Sequence, residues 1–200
     1  MSFLLLAGCN RPEPKGEDYS AINTLDEPLQ VFCDNVKPMV KQIKDGEYTL
    51  FPRAIYKFSG IVVSKEPYWY GWGGKIAPLD LALAWGKLAV PEIDRFIKYS
   101  QGDRWYYYTY KADCPVDNVY IMSHSANTHI IPANDNILKA VKNIKKKGKV
   151  TLEGYLVNVK GKYKGEEFWW NTSLSRTDGG DGACEVFYVT KVKLNNKIYQ

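Results

Sequence analysis

The 200-residue chain has only two histidines and four cysteines, and neither set has the spacing of a metal centre. No CxxC pair and no Cys/His cluster occurs, which removes the common zinc folds. HExxH and HxxxH are missing as well, so no helix presents two imidazoles to one ion. The chain lacks a GxSxG elbow and the D-x-D-x-D-G order of an EF-hand loop. Metal and cofactor are therefore both expected to be none. Apolar runs are short, and the leading one, residues 3–6, falls far below the roughly 20 residues that span a bilayer. Repeats and low-complexity tracts do not stand out. The net charge of +5 is mild; it suits an anionic partner without requiring one. What is present is 45% hydrophobic residues with six Trp and 15 Tyr, enough for one compact domain with a sizeable core.

The N-terminus reads "MSFLLLAGC". Its Leu-Ala-Gly-Cys resembles the lipobox of bacterial lipoproteins, which implies lipidation of Cys9 after removal of residues 1–8. No basic leader precedes the apolar run, so these eight residues read as the remnant of a signal whose start codon lies further upstream. Residues 9–26, rich in Pro, charge and small polar side chains, read as a tether. Asn10 stands where an Asp would retain such a protein at the inner membrane. By that resemblance the anchor sits in the outer membrane, facing the periplasm. Three cysteines remain, Cys33, Cys114 and Cys184. An oxidising compartment permits one disulfide, and Cys33–Cys114 is preferred because "GAC" at Cys184 reads as packing at a strand start.

The remaining chain, residues 27–200, is expected to be a single α+β domain. Leu29, Phe32, Cys33, Val36, Val40 and Ile43 recur at helical spacing, which predicts a helix from Asp26 and Pro28 to Gly46, kinked at Pro38. Strand pattern follows over 48–70, with Gly60 marking a bulge or bend. Helices are predicted over 79–85, from Pro91, and from Asn134 or Asp135 to Gly148. "RWYYYTYKAD" and "NVYIMSHS" read as paired strands, and three more strands fill 149–194. A small antiparallel OB-like β-barrel, or an open sheet, with several packed helices fits this order.

Both histidines lie in "SHSANTHIIPAN", residues 123–134. Five residues apart, His124 and His129 point to opposite faces of a strand, so a shared metal is not expected. Ser123 or Ser125 beside His124 would pair a nucleophile with a base, with Asp178 or Asp181 orienting a histidine. The favoured reading is a polar turn whose Ser, Asn and His side chains bond the backbone. Arg176, Asp178, Asp181 and Glu185 on "SRTDGGDGACE" could hold calcium or phosphate, or simply line a long hairpin connection. The aromatic sets "YWYGWGG", "FWW" and "RWYYYTY" could stack on sugar rings or bases, or form cross-strand pairs.

Four blocks, "PLDLALAWGKL", "SQGDRWYY", "HSANTHIIPA" and "TSLSRTDGGDGACE", resemble a family of bacterial envelope proteins of uncharacterised function over residues 55–190. The resemblance transfers no activity. It implies that Trp85, Gly86, Arg104, Trp105, His129, Pro132, Asp178 and Glu185 belong to one assembled feature. The expected function is that of a non-enzymatic envelope lipoprotein, binding an envelope protein or a glycan through Ser123, His124, Asn127, His129, Arg176, Asp178, Trp85 and Trp105. The alternatives are a periplasmic hydrolase using His124 or His129 with Asp178 or Asp181, and an OB-like polyanion binder. Nucleic acid is not the expected partner.

Overall fold

A computed structural model describes residues 11–33, 35–180 and 182–200. Cys9, Asn10, the signal remnant 1–8 and the candidate Asp181 lie outside them.

The described residues form twelve strands: β1 (Gly16–Glu17), β2 (Leu29–Phe32), β3 (Met39–Ile43), β4 (Gly46–Pro67), β5 (Leu79–Ala84), β6 (Ile97–Gly102), β7 (Trp105–Tyr110), β8 (Ser125–Pro132), β9 (Lys149–Tyr163), β10 (Glu166–Trp170), β11 (Glu185–Leu194) and β12 (Lys197–Tyr199). The helices are short: α1 (Gly71–Ile76), α2 (Pro91–Asp94), α3 (Asn118–Ser123) and α4 (Asp135–Lys142), with a 3-10 turn at Gly86–Ala89. Ten strands form one mixed sheet and β6–β7 a separate hairpin.

The 22-residue β4 is the spine. In its first half Tyr48, Leu50, Ala54, Tyr56 and Phe58 are buried while Phe51, Arg53, Ile55 and Lys57 face solvent, the period of two expected of a half-covered strand. From Gly60 to Ser64 every residue is buried, because both faces are then covered. β4 pairs antiparallel with β2, β3, β5 and β9. β5 pairs with β8, β8 runs parallel to β11, and β11 pairs with β9. The pairings β4–β5–β8–β11–β9–β4 thus return to their start. α4 lays Ile137, Ala140 and Val141 against the largest apolar cluster, with Phe58, Trp85 and Phe187.

The expected α+β class, with helices packed on a small antiparallel OB-like β-barrel or open sheet, is overturned. Strands take 49% and helices, the 3-10 turn included, 15% of the described residues, and the main sheet is mixed. The predicted helix over 28–46 is β2 and β3. Its apolar side chains Leu29, Phe32 and Val40 are exposed, so much of its helical stripe meets no core, and both strands pair along their length with the long β4. The predicted helix over 79–85 is β5, buried along its whole length. A short continuous apolar run fits a strand covered on both faces as well as it fits a helix. From Pro91 the helix lasts one turn, and the chain continues as β6. The expected strand over 118–125 is α3, capped by the Asp117 carboxylate, which accepts from the Tyr120 N–H; the partner of β7 is β6.

α4 does begin after Asn134, whose side chain accepts from the Ile137 N–H, but ends at Lys142 and not at Gly148; β9 and β11 lie where the pattern placed them, and β10 stops at Trp170, short of the expected 166–176. Register shifts fall between Pro52 and Ala54 and between Val62 and Ser64, not at Gly60. Part of the expected tether is pinned to the domain: β1 pairs with β12, and Lys193 Nζ binds the Asp18 carboxylate at 2.7 Å. Cys114 is a free thiol and makes no bridge to Cys33. Cys33 follows β2 beside Arg53, while Cys114 packs against the separate apolar cluster beneath the β6–β7 hairpin.

Two glycines record close backbone approach. A Cβ at Gly154 would lie 2.0 Å from the Tyr188 carbonyl oxygen, and one at Gly60 2.4 Å from that of Ala84. Gly154→Ala is expected to cost about 2 kcal/mol through overpacking, read as a lowered urea midpoint. Gly179→Ala, with open space around it, is expected to leave the midpoint unchanged.

Candidate ligand-binding cleft

Three segments rise above the ends of β5 and β8: the β4–β5 connection carrying α1, the tip of the β6–β7 hairpin, and β10 with the chain that follows it. Between them is a cavity of about 560 Å³. Its aromatic wall is built on β10. Trp72 stacks on Phe168 at 4.3 Å and meets Trp170 edge-on at 5.5 Å, while Trp169 is 72% exposed at the rim.

The floor is charged. Asp80 and His129 are cross-strand neighbours in the β5–β8 register, and both are buried. His129 Nδ1 lies 2.9 Å from Asp80 Oδ1, and Arg104 Nη1 donates to the same oxygen at 2.6 Å and to the Ala77 carbonyl at 3.0 Å. The His129 approach is not aligned as a hydrogen bond. Among the described residues neither His129 Nδ1 nor Asp80 Oδ2 has a hydrogen-bond partner. Arg104 and His129 line the cavity, and Asp80 lies behind them as their counter-charge. The Arg104 guanidinium sits 3.7 Å over the Tyr68 ring and 5.5 Å from Trp170. Trp170 also covers His129, with ring centroids 4.4 Å apart.

Arg104 reaches this position at a conformational cost. Asp103 and Arg104 have φ of 51° and 69°, the left-handed pair that a tight hairpin turn requires and that Asn-Gly normally supplies. Such strain persists where its surroundings over-determine it. Here the Arg104 N–H donates to the Tyr68 hydroxyl, its carbonyl accepts from Asn127 Nδ2, and its guanidinium binds Asp80.

A second cavity of about 260 Å³ shares Trp105, Gly180 and Cys184 with the first. Glu185, Asp178 and Arg176 line it. Burial raises the Glu185 carboxyl to about 7; the positive charge of Arg176 opposes this and Asp178 adds to it. Burial also pushes the Cys184 thiol up to about 11, so it remains protonated at neutral pH and is no activated nucleophile.

The structure separates the two histidines. His124 is remote from the cleft floor: its Nε2 lies 2.9 Å from Glu27 Oε1, and its ring stacks on Tyr120 at 3.7 Å. Ser123 Oγ donates to the Val119 carbonyl and sits 2.9 Å from His124 Nδ1, at a helix end outside either cavity. Asp178 accepts from Ser173 Oγ at 2.6 Å; the carboxylate facing His129 is Asp80 instead. Asn127 bridges the floor to the hairpin through Arg104 and Gln101. Trp85 is buried against the second cavity and donates its indole N–H to Glu27. Of the eight residues grouped by the family resemblance, Trp85, Arg104, Trp105, His129, Asp178 and Glu185 line the two cavities, while Pro132 ends β8 and Gly86, at φ 60°, follows Trp85.

Sequence reasoning passed over Asp80, Tyr68, Trp72 and Trp170 as individual site residues. A signal for Asp80 was present: one carboxylate inside "PLDLALAW", a segment too apolar to leave a charge without a partner. Among the described residues no group of three His, Cys, Asp or Glu side chains could hold a metal ion. A scan against family models finds no match, and searches of curated proteins and of solved structures return no significant match.

Two outcomes follow from this geometry. Arg104→Met leaves Asp80 buried without its main counter-charge and should cost about 3–5 kcal/mol, read by urea denaturation. For Glu185 the folded value near 7 lies above the ordinary 4.5. Its contribution to stability is therefore fully present below about 4.5 and is lost as pH rises through 7, by about 3 kcal/mol. The stability difference between wild type and Glu185→Gln should shift by that amount between pH 4.5 and 8.

Proposed function

We propose that this protein is an envelope lipoprotein, held through Cys9 at the periplasmic face of the outer membrane, whose domain binds a glycan in the larger cleft. The observation that carries the binding reading is the combination of aromatic walls with a polar floor, where half-buried Arg104 is paired with the buried Asp80 beside His129. A sugar ring has apolar faces that stack on indole and hydroxyl edges that need donors and acceptors held in fixed positions. Trp72, Trp169 and Trp170 supply the first, and Arg104 the second. Mostly apolar clefts with a few fixed polar groups are the common form of a small-ligand site. The membrane anchor is supported by the Leu-Ala-Gly-Cys motif and by no feature of the domain itself.

Binding is favoured over hydrolysis by how the floor is built. An Asp–His pair exists, but Trp170 packs over His129, and the Asp80 oxygen that faces His129 also accepts from Arg104. A polyanion reading draws less support from the cavities, since no lysine is among the described residues that line either of them.

The test is titration of the purified domain with soluble peptidoglycan fragments and chito-oligosaccharides, followed by tryptophan fluorescence and calorimetry. Saturable binding little changed by salt is expected, weakened about tenfold (about 1.4 kcal/mol) by Trp169→Ala, which removes an exposed ring without disturbing the core. Absence of saturable binding, or binding indifferent to Trp169, would overturn the reading. Release of shorter oligosaccharides, abolished by His129→Ala, would identify a hydrolase instead.

A further inference from the structure

The smaller cavity differs in chemistry from the cleft beside it. Its walls are the rings of Trp85, Trp105, Tyr106 and Tyr108 with Met122. Its polar lining is led by two carboxylates, Glu185 and Asp178, and one cation, Arg176. The donors around it are largely engaged elsewhere. The Trp85 indole N–H is given to Glu27, and the Tyr106 hydroxyl is paired with Ser125 Oγ at 2.6 Å. The Tyr108 hydroxyl donates to Asn118 Oδ1. Arg176 is drawn towards the rear wall, where Nη2 donates to the Pro28 carbonyl and Nη1 to the Tyr56 hydroxyl, with its guanidinium facing the Tyr56 and Trp85 rings. Glu185, only 4% exposed, has one side-chain partner, Thr128 Oγ1, at a long 3.4 Å.

A cavity lined by aromatic rings, a thioether and a buried carboxylate with one long side-chain contact recognises a positive charge that carries methyl groups rather than hydrogen-bonding edges. Ring faces attract a cation through their quadrupole, and the methyls fill the apolar walls. We propose that this second cavity binds the quaternary ammonium head of a small organic cation, with Glu185 as its counter-charge and Trp105 and Tyr108 among the rings that enclose it. The site goes beyond the glycan reading and does not rest on it.

Glu185 also gives the site a pH dependence. The titratable and charged groups around it are Arg176 and Asp178 from the segment before β11, Tyr56 from β4, and the neighbouring Cys184 thiol; Thr128 faces it from β8. Burial holds its carboxyl near 7, and a permanent cation binds the ionised form. Affinity should therefore rise about tenfold between pH 6 and pH 8, following the ionised fraction of one group.

The experiment is calorimetric titration of the full chain with choline and with its neutral isostere 3,3-dimethylbutan-1-ol, at both pH values. Choline should bind at least about tenfold more tightly than the alcohol, and more tightly at pH 8. Glu185→Gln should lose about tenfold in choline affinity and all of its pH dependence, while glycan titrations of the larger cleft remain as in wild type. Tyr108→Leu, which alters a partly exposed wall residue, should weaken choline binding at both pH values. Equal affinity for choline and the alcohol, no saturable choline binding up to about 10 mM (about −2.7 kcal/mol), or a Glu185→Gln protein that binds choline as wild type does, would each overturn the proposal.

Discussion

The buried carboxylate of Asp80 ties together parts of the chain that no local rule would bring to one place. Arg104 comes from a strained hairpin tip, His129 from the next strand of the sheet, and Tyr68 and Trp170 pack against those two from either side. Taking the Asp80 carboxylate out of water costs several kcal/mol unless it is compensated. Arg104, which binds the carboxylate and stacks on Tyr68, offsets that cost. The same contact fixes the height of the β6–β7 tip above the sheet, and hence the width of the cleft and the position of Trp105 between the two cavities. Asp80 touches no ligand in this account; it holds Arg104 and His129 in place.

The sheet explains why the site lies where it does. β4 is long enough to pair with four other strands, and the circuit of pairings through β5, β8, β11 and β9 leaves the connections at one end gathered above Asp80 and His129. The parallel pairing of β8 with β11 brings Thr128 opposite Glu185, so the floors of both cavities come from neighbouring rows of the same three strands. Two sites of different chemistry, one aromatic over an ion-paired floor and one aromatic around a buried carboxylate, can then share a wall.

The start of α4 and the last long strands were legible in the sequence, whereas residues 123–134, expected as a polar turn, hold the buried strand β8, and much of the first half was not legible. Asn134 as a cap, the apolar face of α4 and the alternation of β9 are local signals, and they act locally in the structure too. The stretch 28–46 carried an apolar period close to that of a helix, yet Leu29, Phe32 and Val40 are exposed and the backbone pairs with β4. The pairing that decides its conformation is a contact with residues up to 28 positions away, which no window of sequence contains. β5 failed for a different reason: a strand buried on both faces has no periodicity to read. His129 and the 175–185 segment were recognised as candidates from residue type. Asp80 was not, because its partner in the register, His129, lies 49 residues away.

The central claim is that the aromatic cleft above Asp80, Arg104 and His129 is where ligand binds. The most direct measurement is a nuclear magnetic resonance titration of the six tryptophan indole N–H groups with chito-oligosaccharide, each assigned by single substitution. The account predicts shifts at Trp72, Trp105, Trp169 and Trp170, with little change at Trp85, whose N–H is already given to Glu27. Shifts confined to Trp69, or shifts at none of the six under conditions of saturating ligand, would contradict it.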